Sequence, residues 1–168
     1  MTEKNSPTLD RAELVTRQWH RQLPDLDLRP MAMLGRLNQA SMLIMRDNLE
    51  PVFKSHGLVS GEFDVLSTLR RAGAPYALTP TELFESTMIT SGGMTARLDR
   101  LEKRGLLSRA PNPNDRRGTI VSLTADGKDL LEAALADHVV NLERIAASLN
   151  EDEQKQLSAL LAKLIKGL

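Results

Sequence analysis

Thr79-Pro80-Thr81-Glu82 opens a stretch that continues through Thr90-Ser91-Gly92-Gly93, Lys103-Arg104-Gly105 and Asn112-Pro113-Asn114-Asp115-Arg116-Arg117-Gly118 to Leu123, and its punctuation decides the fold. A threonine three residues before a glutamate, with proline at the first helical position, is a capping box, so a short helix is predicted to run to about Ser86 or Thr87. Thr90 or Ser91 caps the next helix, and Gly105 is the left-handed residue that ends it. Residues 106–110 and 119–123 each suit a short strand, and the Pro- and Asn-rich turn between them makes a hairpin.

Helices are predicted on both sides of this unit. Residues 8–22 read as an amphipathic helix with Leu9, Leu14, Val15 and Trp19 on its apolar positions, ended by Pro24. A second helix starts at Pro30 and carries Met31, Leu34, Leu37, Ser41, Ile44 and Leu49 toward Phe53, with Pro51 as a kink and Gly57 as a stop. Ser60 then caps a helix holding Phe63, Val65, Leu66 and Leu69 that ends near Gly73 and Pro75. Thr124 caps a long helix to Leu149, and Asn150-Glu151-Asp152 starts a last one to Leu168.

The fold class is therefore mainly α with a small β-hairpin wing: a winged helix-turn-helix core between N- and C-terminal helices. Three segments are expected, with residues 1–57 forming the extra helix and first dimerisation helix, 58–123 the DNA-binding lobe, and 124–168 the C-terminal dimerisation helices. So small a winged unit leaves much apolar surface on the terminal helices. Leu130, Leu131, Leu135, Val139, Leu142 and Ile145, with Leu157, Leu160, Leu161, Leu164 and Ile165, are best covered by a second copy in a homodimer. The alternative is that they close a monomer core. A dimer would set two recognition helices on a pseudo-palindrome with half-sites about 34 Å apart.

Charge agrees with a double-stranded DNA partner once its distribution is considered. Net charge is zero, with 22 basic and 22 acidic residues. Residues 91–118 nevertheless hold seven basic side chains against three acidic ones, a local +4, whereas residues 124–168 hold five against eight, a local −3. A cationic patch on an otherwise neutral chain suits one face meeting phosphates.

Other chemistry is excluded by composition. Cysteine is absent, which removes disulfides, thiolate metal sites and thiol switches. His20, His56 and His138 lie on separate predicted elements with no metal-ligand spacing, and no nucleophile-base or paired-carboxylate arrangement occurs. Neither an enzyme, a cofactor nor a metal is expected. No apolar run approaches the ~20 residues of a membrane span, and residues 1–10 show no export signal, so a cytoplasmic location is expected.

Within the helix read from Ser91 to Arg104, Met94, Leu98 and Leu101 share one meridian and face the core. Gly92, Ala96, Asp99 and Lys103 lie opposite, with Thr95 and Arg100 on the flanks. Ser91, Thr95 and Arg100 are candidates for base or phosphate contact, Ser91 having capping as its alternative role. Arg116 and Arg117 at the hairpin tip can enter a minor groove or clamp phosphates, with Asp115 orienting one of them through an ion pair. Arg97 lies only about 70° from the apolar meridian and is turned partly inward, needing an anionic partner or snorkelling along the core edge.

The chain resembles the MarR family of dimeric winged-helix regulators, most specifically in residues 94–107, in Asp115-Arg116-Arg117-Gly118 and in Val121-Ser122-Leu123-Thr124-Ala125-Asp126-Gly127. The resemblance implies a homodimer joined through its terminal helices, binding a palindromic operator and usually repressing. It is similar in particular to the urate-responsive, PecS-like branch, whose extra N-terminal helix carries a tryptophan and whose lobe carries an aspartate and two arginines at the places of Trp19, Asp64, Arg97 and Arg109. That likeness implies a small aromatic anion, urate or a related purine, as ligand. Asp64 falls on the side of its helix away from Phe63, Leu66 and Leu69, where it faces either a cleft or plain solvent. An indole and an arginine suit such an anion, and its charge would repel the Asp64 carboxylate. Two alternatives stay open: a repressor of the wider family answering to phenolic or aromatic carboxylates without a urate site, and a winged helix that binds another protein.

Overall fold

The computed structural model describes residues 10–87, 93–113 and 115–168, and only the backbone of Arg116 and Arg117. The chain divides at Asn48/Leu49 into two compact units.

In the first unit, α1 (Arg11–Gln22) packs on α2 (Arg29–Leu43). Asp10 is the N-cap of α1, its carboxylate accepting from the Glu13 N–H at 2.9 Å; Thr8 and Leu9, with which the predicted helix begins, lie outside the described residues. The helices cross where both carry little bulk, since a Cβ on Gly35 would lie 3.0 Å from the Ala12 Cβ. Arg36 pins the crossing, its Nε donating to Asp10 at 2.9 Å and its Nη2 to Glu13 at 2.6 Å. The Asp10 carboxyl is held below its ordinary range by the Glu13 N–H and by Arg36, and that of Glu13 by Arg17 and Arg36. Beyond α2 the backbone widens into a π-helical stretch, Ile44–Leu49. Pro51 is the local cause: it supplies no N–H to the preceding turn, and its ring crowds it.

The second unit begins with α3 (Glu50–Ser55) and α4 (Ser60–Arg71). Gly57 takes φ +66°, and the Leu58 N–H reaches back to the Phe53 carbonyl at 2.9 Å, closing α3 as predicted. The cap of α4 differs from expectation. Val59 is the N-cap and Ser60 the first helical residue, because the Glu62 carboxylate folds back to accept from the Val59 N–H at 3.3 Å and serves the orphan donor itself.

A two-residue strand β1 (Ala77–Leu78), not foreseen, precedes α5 (Pro80–Ser86). The Thr79 capping box forms as read, Thr79 Oγ1 accepting from the Glu82 N–H at 3.2 Å and Glu82 accepting from the Thr79 N–H at 2.8 Å. The next helix, α6, spans Met94–Lys103, with Gly93 as its N-cap at φ +88°. The proposed caps Thr90 and Ser91 lie outside the described residues. Gly105 ends α6 at φ +71°, with the Leu106 N–H on the Leu101 carbonyl at 3.0 Å.

β2 (Leu107–Asn112) and β3 (Asp115–Leu123) form the wing, longer toward the tip than predicted, and β1 extends the antiparallel sheet in the order β1-β3-β2. Arg109 pairs with Val121 and Asn112 with Asp115. Two helices, α7 (Ala125–Ala146) and α8 (Glu151–Ile165), complete the chain, capped by Thr124 and Asn150 as expected.

The core of this unit gathers Phe53, Leu58, Phe63, Val65, Leu66, Leu69, Leu83, Met94, Leu98, Leu101, Val121 and Leu131. Leu131 is fully buried and Leu130 packs against the same cluster, so these two positions, assigned from sequence to a partner interface, belong to the lobe's own core. Leu135, Val139, Leu142, Leu157, Leu160 and Ile165 stay exposed. No helix among the described residues is long and apolar enough to cross a membrane.

Candidate nucleic-acid interface

α6 buries Met94, Leu98 and Leu101 and turns Thr95, Ala96, Asp99 and Lys103 to solvent, as its spacing requires. Thr95 is therefore open to solvent on the flank of the helix. Lys103 makes no ion pair among the described residues, whereas Arg100, Arg104 and Arg109 are each held by a carboxylate. Ser91 lies outside the described residues, as do the side chains of Arg116 and Arg117. Asp115 lies at the hairpin tip, where its Oδ2 would stand 3.1 Å from a Cβ placed on Gly118, and the Asn112 Cβ would be 3.3 Å away. Glycine at 118 thus leaves room for these neighbours.

A second stripe runs beside the apolar one. Arg97, Arg100 and Arg104, spaced i, i+3, i+7, all lean on residues 57–62 around the start of α4. Arg97 is half-buried, as its angle predicted, and lies across Gly61: a Cβ there would meet its Nε at 2.5 Å. Its guanidinium also borders Gly93, where the nearest Cβ distance would be 3.8 Å. Asp64 sits half-buried on α4, one turn beyond Gly61. Arg100 donates from Nε to Glu62 Oε1 at 2.9 Å, and Arg104 from Nη1 to Oε2 at 3.4 Å. Glu62 itself is buried, with a side-chain exposure of 6%.

Arg109, at the base of the wing, is turned toward α6. Its Nη2 donates to Asp99 Oδ1 at 2.7 Å and its Nη1 lies 3.5 Å from Glu102. Trp19 is half-exposed on α1 of the first unit. The patch is thus less cationic in space than along the chain, because Glu62, from outside residues 91–118, is paired with Arg100 and Arg104; Asp99 and Glu102, already counted in that stretch, hold Arg109. Neither Glu62 nor Gly61 stood out from the sequence. The i, i+3, i+7 arginine spacing called for an acidic partner, but which acid depended on how α4 and α6 cross.

Elsewhere in this unit, His138 of α7 packs against the stacked pair Phe53 and Phe63, at 5.3 and 5.1 Å between ring centroids, and burial pushes its pKa below the ordinary histidine value. His56 Nε2 lies 2.8 Å from Asp137 Oδ2. Arg70 holds Glu132 at 2.9 Å and keeps its carboxyl below the usual range.

Residues 56–118 match the model of the MarR family. PecS of Dickeya dadantii is 42% identical over 154 residues, which cover 92% of this chain and 92% of PecS. The chain belongs to the MarR family. Its similarity to the MarR protein of Escherichia coli is 33% over 138 residues, covering 79% of this chain and 90% of that protein. Among solved structures, this MarR-family chain matches a cysteine-to-serine mutant of Escherichia coli MarR complexed with operator DNA, at TM-score 0.71 and 30% identity, over 82% of this chain and 96% of that one. It also matches BpsR of Bordetella bronchiseptica, whose DNA binding is regulated by 6-hydroxynicotinic acid, at TM-score 0.68 and 26% identity, over 76% and 89% of the two chains. The MarR-family fold and the PecS likeness make the chain a transcriptional regulator.

Proposed function

We propose that this regulator binds a pseudo-palindromic operator as a homodimer, represses from it, and is released by a small aromatic anion, urate or a related purine being the first candidate. The observation that carries the reading is the seat of Arg97. It rests between Gly61, one turn before Asp64 on α4, and Gly93 at the start of the recognition helix, on a chain 42% identical to PecS. An anion that drew Arg97 away, or repelled Asp64, would act directly on the first turn of the DNA-reading helix and so supply the differential affinity that release requires.

Thr95 and Ser91 are assigned to base or phosphate contact, Arg100 to phosphate, and Arg116 and Arg117, with Asp115, to the groove beside the wing. Within the second unit Arg97 is assigned as the ligand's cationic partner and Asp64 as the group its charge displaces, with Arg109, held on another side of α6, as a further candidate cation; Trp19 is kept as an aromatic contact on the likeness to PecS alone. Exposure of Leu135, Val139, Leu157 and Leu160 supports assembly through the terminal helices, with the lobe from 58 to 123 reading DNA in a cytoplasmic setting. Because Arg109 is held by two carboxylates, a ligand reaching it must displace them, which favours a full anion over a neutral phenol. The aromatic carboxylate that regulates BpsR keeps that class as the second reading.

Fluorescence anisotropy on a duplex selected by the protein from random sequence, titrated with urate, xanthine, salicylate and 6-hydroxynicotinate, tests this. Urate should release DNA from the wild type and fail to release Asp64→Ala or Arg97→Ala, while both variants sediment as the wild-type dimer. An unchanged urate response in Asp64→Ala overturns the urate assignment, and release by the carboxylates alone moves it to the second reading.

A further inference from the structure

Glu62 is, among the described residues, the one buried carboxylate paired with the recognition helix, and the DNA-binding assignments do not use it. Its side chain is 6% exposed, so it cannot itself meet a phosphate, and it would repel one if it did. It engages Arg100 through Nε alone, at 2.9 Å, while Arg100 remains 53% exposed. Among the described residues the two Nη nitrogens of Arg100 take no other partner. A guanidinium tied at Nε keeps its outer edge directed away from the tie, and that edge is the part that suits a phosphate. Arg104 occupies the other Glu62 oxygen at 3.4 Å, and the Val59 N–H also donates to that oxygen at 3.3 Å. The carboxylate is thereby fixed on three sides, and α4 is joined to α6 at the turn bearing Arg100.

We propose that Glu62 is a positioning residue for operator binding: it holds Arg100 by Nε so that both Nη groups are presented to a backbone phosphate. This rests on the operator-binding reading above. An exposed arginine otherwise loses much side-chain freedom when it docks, and Glu62 removes that loss before the encounter.

The sign of the effect separates positioning from plain charge. Glu62→Gln removes a negative charge near the DNA-facing helix, so simple electrostatics expects tighter binding. Positioning expects weaker binding, because one neutral amide oxygen must then serve the three donors that two carboxylate oxygens serve now, and holds Arg100 less firmly. Binding to the selected duplex, measured by anisotropy over a salt series, should show Glu62→Gln weaker by about threefold or more and Arg100→Ala weaker by about tenfold. The log-log salt slope should fall by roughly 0.9 for each phosphate that is no longer neutralised. Glu62→Gln should cost nothing further in an Arg100→Ala background. Arg100→Lys keeps the charge but cannot hold a carboxylate at one nitrogen and a phosphate at two others, so it should bind nearly as poorly as Arg100→Ala.

Glu62→Gln binding as tightly as wild type, or more tightly, overturns the proposal, as does an equal penalty with and without Arg100. If Glu62→Gln fails to fold, Arg100→Lys decides alone, wild-type affinity in that variant being the overturning result. Wild-type protein that selects no duplex removes the operator reading itself, whereas selection with an indifferent Glu62→Gln removes only this inference.

Discussion

Arg109 of β2 donates to Asp99 of α6 at 2.7 Å, so the base of the wing is fastened to the solvent side of the recognition helix by a pair in which the arginine is the more buried member. If Arg109 also serves the ligand, Asp99 and the ligand compete for it. Asp99→Asn should lower the urate concentration needed for half-release of DNA several-fold. It should cost only about 0.5 kcal/mol of stability, since the aspartate side of the pair is largely solvated. Paired urate titrations and thermal melts of the two proteins check both halves.

Two glycines separate backbone strain from crowding. A Cβ on Gly127 would stand 1.9 Å from the Leu106 carbonyl oxygen, which is backbone and cannot step aside. Gly105 has φ +71° but no atom within 4 Å of the position a Cβ would take. Gly105→Ala should therefore cost about 1 kcal/mol for the left-handed backbone alone. Gly127→Ala should cost about 3 kcal/mol, lowering Tm by roughly 6–12 °C. Thermal denaturation followed by circular dichroism ranks them.

His138 should make the lobe sensitive to acid. Its imidazole lies against Phe53 and Phe63, its Nδ1 is buried without a hydrogen-bond partner among the described residues, and burial lowers its pKa from 6.5. The unfolded chain then takes up a proton at a pH where the folded chain resists it. The contribution is whole above 6.5 and is lost progressively as pH falls below that value. Tm measured between pH 7.5 and pH 5 should fall more steeply for wild type than for His138→Phe; parallel curves would refute the assignment.

The α1/α2 crossing depends on Gly35 and Arg36. Gly35→Val places branched bulk where even a Cβ lies 3.0 Å from Ala12, and should separate the helices more than Arg36→Ala, which removes exposed ion pairs to Asp10 and Glu13. Limited trypsinolysis followed by mass spectrometry should show early cleavage after Arg17 and Arg21 in Gly35→Val, with Arg36→Ala intermediate and the second unit, from Leu49 onward, intact.

What could be read directly from the chain was local. The Thr79 box, the Gly105 stop and the Thr124 cap each satisfy orphan backbone groups within a few residues of themselves, so side-chain type and spacing suffice. β1 escaped because two residues make no periodicity, and its existence depends on pairing Ala77 with Ser122 far along the chain. Glu62 escaped for the same reason, its arginine lying 38 residues away. Ser60 misled because the Val59 carbonyl, one residue earlier, already accepts from the Glu62 and Phe63 N–H groups, so the helix starts before the serine could cap it. Leu130 and Leu131 misled differently: a helical stripe records that a face is covered, not by which neighbour, and these two are covered by the lobe itself. Of the site, the inward tilt of Arg97 and the exposure of Thr95 were legible from helical angle, whereas the acids that hold Arg100 and Arg109 depended on tertiary packing.

The Thr124 hydroxyl donates to the Gly105 carbonyl at 2.7 Å while Gly127 abuts the Leu106 carbonyl, so the stop of the recognition helix is bolted to the first turn of α7. That end would be the pivot of any tilt of the helix. At 1.5 Å per residue the ten residues of α6 form a lever of about 15 Å, and a swing of about 10° about the bolted end would carry the far tip roughly 2–3 Å. The far tip is Gly93, with Arg97 one turn behind it, so motion is amplified at the end of the helix where an incoming anion would push.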